Sequence, residues 1–146
     1  MQKTIKKHLS SARLMQLATI SGDKPWVVTV YFVVDSSLNV YWLSWPDRQH
    51  SQNIKNNPKA SGTFVIKPER PVIGISVEGR ASNVSDYKNI NTVMNLYINK
   101  YNEGRDFHNN FINGTNKHNL YCLMPKKFTI FDEVSNIKNP KQEWLL

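Results

Sequence analysis

The sequence predicts a mainly β protein, an antiparallel β-barrel with peripheral helices, on three observations. Seven short runs are rich in Val, Ile, Thr and aromatic residues, which suit a pleated, half-buried surface. One long amphipathic helix enters only after the fifth of those runs. No strand–helix alternation of the kind a doubly wound parallel sheet requires is present.

Ile5 and Leu9 stand one turn apart with Lys3, Lys6 and Lys7 on the other side, which predicts a short amphipathic helix packed on the body. Leu14 to Ile20 reads as a strand and Ser21-Gly22-Asp23-Lys24-Pro25 as a turn. Trp26 to Val34 is the strongest β signal, and its unbroken apolar character predicts burial on both faces, by the barrel interior and by a helix or second subunit. Asp35-Ser36-Ser37 turns the chain into Leu38 to Ser44, after which Pro46 and Asp47 break the strand. Asp47 is the expected N-cap of the next helix, and Asn57-Pro58 its stop. Ala60 to Ile66 and Val72 to Ser82 form a further pair of strands, with Gly74 and Gly79 as bulges or points of close backbone approach. Asp86 is the expected N-cap of the long helix, where Ile90, Val93, Met94, Tyr97, Ile98 and Tyr101 make an apolar stripe against the sheet. A shorter helical piece around Phe107, Phe111 and Ile112 ends at Gly114. Leu120 to Met124 and Phe128 to Phe131 are the last two strands, flanking Pro125.

At 146 residues the chain reads as one domain, 1–146, with no repeat or linker to mark a boundary. Neither a leader-type apolar segment nor a membrane-length run is present, which predicts a cytoplasmic protein that does not enter a membrane. The single Cys122 allows no intramolecular disulfide and, inside Leu120-Tyr121-Cys122-Leu123-Met124, reads as a buried inert thiol. A net charge of +8 raises the question of nucleic acid. The cations are spread along the chain without a long basic run or a nucleic-acid motif, so that partner is not expected.

The segment Ser44 to Ala60 carries the most function. A strand end there feeds a helix whose first turn sets Arg48, Gln49, His50 and Ser51 around backbone N–H groups without intrahelical partners, a setting that suits a phosphate. The plainer reading is an ordinary solvated helix face. His108, His118 and Cys122 do not complete a tetrahedral set, so no metal is expected. No nucleophile elbow, paired carboxylates or Gly-rich phosphate loop stands out, and no catalytic residue is assigned.

Three pieces in order, L-A-T-I-S-G-D-K-P-W-V-V-T-V-Y-F-V-V-D, N-I-K-N-N-P-K-A and V-E-G-R-A-S-N-V-S-D, give the chain a wording that resembles the pyridoxamine 5′-phosphate oxidase-like proteins. That resemblance implies the FMN-binding split barrel, an antiparallel, six- to seven-stranded, Greek-key-like fold, in a homodimer with FMN at the interface. It implies a flavin ring against Val28, Thr29 and Val30, with Leu43 and Ser44 ending the neighbouring strand beside it. Gln49 and His50 fall where the family often carries an Arg-Lys pair for the phosphate, with Arg48 one residue earlier as a substitute cation, and Asn53 falls on a common helix Asn. His50 would add charge only below about pH 6.5 unless phosphate raises its pKa, which predicts tighter FMN binding at mildly acid pH.

The chain lacks matches to the family's pyridoxal phosphate-binding residues, so a true pyridoxamine phosphate oxidase is not expected. Trp144 in the tail either caps a flavin across the dimer or packs on its own domain. The expected function is an FMN-dependent oxidoreductase or reductase acting on a small molecule, since flavin carries the hydride chemistry itself. The alternative is a non-catalytic flavin- or haem-binding or sensing module on the same fold.

Overall fold

The structure, a computed structural model, describes residues 1–146. Helix α1 (Gln2–Ser11) buries Ile5 and Leu9 in the core and leads into β1 (Leu14–Ser21). A tight turn through Gly22, whose φ of 63° is left-handed, returns the chain as β2 (Lys24–Tyr31), in register with β1 along its length.

The long run expected from Trp26 to Val34 is two strands. Phe32 drives its ring into the core against Phe64, and both its backbone groups bond the Tyr101 hydroxyl in place of a neighbouring strand. The chain therefore bends there into β3 (Val33–Val34), which pairs with β4 (Val40–Ser44). Burial on both faces does not hold for β2 in the single chain, where Val27 is 62% and Tyr31 59% exposed.

Helix α2 (Gln49–Asn56) follows. Its N-cap is Arg48, not Asp47, and no side chain caps it. Strands β5 (Lys59–Lys67) and β6 (Ile73–Asn83) then pair along their length, with Gly74 beside a bulge in β5. Asp86 caps α3 (Tyr87–Tyr101) as expected, accepting from the Asn89 N–H at 3.0 Å, and α4 (Arg105–Ile112) is short.

The two expected last strands are one, β7 (Asn119–Asp132). Pro125 does not interrupt it because it stands at a bulge, where the absence of an N–H is tolerated. Glu78 faces Lys127 and Gly79 faces Pro125, so Lys126 is the extra residue. Gly79 is required there, since a Cβ would lie 2.0 Å from the Met124 carbonyl oxygen. A further strand that the sequence pattern does not predict, β8 (Lys141–Leu145), pairs with the second half of β7.

The eight strands form one antiparallel sheet in the order β2-β1-β5-β6-β7-β4-β3, with β8 on β7, curled into a half-barrel with four helices. Its interior holds Met15, Leu17, Phe32, Trp42, Phe64 and Phe128, and Ile54 of α2 joins them. A smaller cluster, Val33, Tyr41, Val93, Tyr97, Leu120 and Cys122, joins α3 to the other face of β3, β4 and β7. No helix is long and apolar enough to cross a membrane.

Candidate functional site

Strands β2 and β4 come into contact without hydrogen-bond pairing, and a cavity of about 670 Å³ opens beside them. Val28, Thr29 and Val30 supply one wall, and Leu43 and Ser44 the end of β4. Arg48 and His50 enter from the start of α2. Seven of the nine residues expected at a cofactor thus line one cavity.

Gln49 and Asn53 do not line it. The Gln49 amide donates to Asn53 Oδ1 at 2.7 Å, and the Asn53 amide donates to Thr19 Oγ1 at 3.0 Å, which ties α2 to β1. Asn53 is 3% exposed, so this chain satisfies a polar group that would be costly to bury alone.

At the anion end, the Arg48 guanidinium lies 5.1 Å from the centre of the Trp45 ring, and His118 meets the same indole edge-on. Neither of the two ion pairs in the chain involves Arg48. His50 Nε2 lies 2.6 Å from Ser44 Oγ, and His118 Nδ1 lies 2.6 Å from Asn116 Oδ1. Burial, and then the Arg48 charge, holds both imidazoles below the ordinary histidine pKa. Arg48 is therefore the permanent cation at this end, with two neutral histidines that a bound anion would push toward protonation. Ser44 and His50 form a hydroxyl–imidazole pair without a carboxylate bonded to the imidazole, which leaves them short of a hydrolytic triad.

The rest of the cavity is mostly aromatic, and the sequence reading does not place these residues at a site. Tyr97, Tyr101 and Phe107 reach in from α3 and α4, Tyr31 from the end of β2, and Arg13 and Glu103 lie at the same side. The Tyr97 hydroxyl lies within bonding distance of the Tyr31 and Tyr41 carbonyls, at 3.3 and 3.2 Å. Tyr101 accepts from the Phe32 N–H at 3.1 Å and donates to the Phe32 carbonyl, while the Arg13 guanidinium stacks 5.0 Å from its ring centre. Burial raises the pKa of both phenols, so they stay neutral. The signal that could have found them is the pair of hydroxyls in the α3 stripe, since a stripe used only for packing has no need of two polar tips.

These parts suit a planar, phosphorylated cofactor. Its volume is that of a small-molecule site, the wall is apolar, and an unpaired guanidinium stands at one end. Trp144 lies elsewhere, stacked on Phe128 at 6.1 Å. His108 is buried on α4, and no group of three or more His, Cys, Asp or Glu side chains is placed to hold a metal ion.

The structure is similar to that of conserved hypothetical protein Rv2991 from Mycobacterium tuberculosis, with TM-score 0.80 and 18% identity over 92% of this chain and 86% of that one. It is also similar to General Stress Protein 26 from Bacillus anthracis, with TM-score 0.71 and 17% identity over 99% and 98% of the two chains. Campylobacter jejuni ChuZ matches with TM-score 0.76 and 16% identity, over 99% of this chain and 58% of its own. At these identities the likeness shows a shared fold. No curated protein matches the sequence. The sequence pattern described as pyridoxamine 5′-phosphate oxidase matches residues 1–125, and the chain belongs to that family.

Proposed function

We propose that the chain is an FMN-binding flavoprotein, an FMN-dependent oxidoreductase acting on a small molecule in the cytoplasm. The observation that carries this reading is the order of parts along one cavity: apolar strand wall at Val28 to Val30, then Leu43 and Ser44, then the unpaired Arg48 at a helix start. A ring lies against the first and a phosphate against the last, while the flavin supplies hydride transfer. The protein's own groups bind, orient and exclude water.

A homodimer with the cofactor at its interface fits the outer face of the sheet. Toward its Leu14–Tyr31 end, Leu14, Tyr31 and Val65 are exposed, and Gln16 Oε1 is buried without a hydrogen-bond partner in the single chain. A second copy on this face would cover the first group and offer a partner to the last.

The test is the visible spectrum of the purified protein, followed by anaerobic addition of NADH or NADPH. The reading expects flavin bands that one of these donors bleaches, and a colourless protein that ignores added FMN would sink it.

One observation favours a second reading, a non-catalytic haem-binding module. His118 Nδ1 is engaged by Asn116, which frees Nε2 in the arrangement that metal-bound imidazoles commonly show. A Soret band lost in His118→Ala would favour it over flavin.

A further inference from the structure

At the end of β2 opposite Tyr31, a second cavity of about 560 Å³ is bounded by β1, β5, β6 and β7 as well. The register puts Ala18, Ser61, Glu78 and Lys127 in one row across these strands, on the face turned away from the core. Arg80 and Lys59 stand two residues along, on the same face. We propose that this cleft is a binding site for a small polyphosphate anion, with at least two adjacent phosphate charges, separate from the cavity between β2 and β4.

Three features carry the assignment. Lys59 and Arg80 are direct cross-strand partners, and like charges directly opposite one another destabilise a sheet unless something between them neutralises the charge. The β7 bulge makes Lys126 an extra residue beside Lys127, and bulges re-aim side chains in this way. The one carboxylate in the cleft, Glu78, is already bound to Lys127 at 2.7 Å, while Lys59, Arg80 and Lys126 take part in no ion pair.

Three cations therefore converge without a counter-charge in a recess rather than on a convex surface. A single phosphate would satisfy part of this charge, and the two linked phosphates of pyrophosphate would offer charge both to Lys59 and Arg80 and to Lys126. No aromatic side chain lines the cleft, so the contacts select charge and not a base.

Calorimetric titration of the full chain with inorganic pyrophosphate at low salt tests the site. Pyrophosphate should bind more tightly than inorganic phosphate, and one such site per chain should persist in Arg48→Ala, which lacks the anion anchor of the other cavity. Lys126→Ala and Arg80→Ala should each weaken it by about ten-fold or more, the loss of one charge-assisted contact. Glu78→Gln should tighten binding, because Lys127 is then released, and Arg48→Ala should leave the affinity of this cleft unchanged. No heat at millimolar pyrophosphate overturns the proposal. So does a loss of binding in Arg48→Ala that Lys126→Ala does not share. Tighter binding of a single-stranded oligonucleotide than of pyrophosphate, sensitive to the same variants, also overturns it by making the cleft a nucleic-acid contact.

Discussion

In the cavity between β2 and β4, Arg48 shares the anion end with two neutral histidines, whereas the outer cleft gathers four cations around a single carboxylate. The first is walled by tyrosines and Phe107, and the second by no aromatic at all. On the readings proposed above, one place would recognise a flat ring with help from charge, and the other would recognise charge alone. A phosphate in the first would be held by Arg48, by the α2 N-terminus and by histidines whose protonation would depend on the phosphate itself. In the second, lysine and arginine charges are present whether or not a ligand arrives.

The largest expected effect separates the two directly. Arg48→Ala should lower FMN affinity roughly ten- to a hundred-fold, one charge-assisted contact of about 1.5–3 kcal/mol, and leave riboflavin nearly unaffected. Equal losses for both ligands would mean that Arg48 supports the ring and not the phosphate.

Tyr101→Phe comes next. Its hydroxyl holds both backbone groups of Phe32 at the bend between β2 and β3, so removal should cost about 1–2 kcal/mol in denaturant unfolding. FMN affinity should fall, and pyrophosphate affinity should stay constant because the outer cleft lies at the other end of β2.

The smallest effect is read by NMR. In the free protein, the His50 and His118 ring protons should titrate below pH 6.5, and FMN should move both upward where riboflavin does not. The sign for stability follows. Between those lowered values and about pH 6.5 the unfolded chain binds more protons, so stability falls as pH drops through that window. A His50 that titrates at the ordinary value with or without FMN would place it outside the phosphate end.

Much of the first cavity was legible because its residues sit in short local patterns. Strand-then-helix chemistry at Ser44, Arg48 and His50 is written within seven residues. Asn53 was legible as a motif position but not as a brace to Thr19, a contact 34 residues away that no local pattern encodes. Tyr97 and Tyr101 look like core in the sequence because apolar periodicity scores their rings and ignores their hydroxyls. Pro125 looks like a break because proline cannot donate to a ladder, yet a bulge supplies a site inside a strand where no donor is needed. The outer cleft was not legible at all. Its cations lie on β5, β6 and β7, and only the register brings them together.

The length of β7 has a consequence for how the chain is made. This strand pairs with β6 along its length, with β4 through its first half and with β8 through its second. Until residues 119–132 leave the ribosome, β6 presents an open edge and the β3–β4 hairpin has no sheet to join. Both are templates for pairing with other nascent chains. Assembly of the half-barrel thus waits on β7, and slowed translation through residues 84–118 would lengthen the interval in which the chain is most exposed to aggregation.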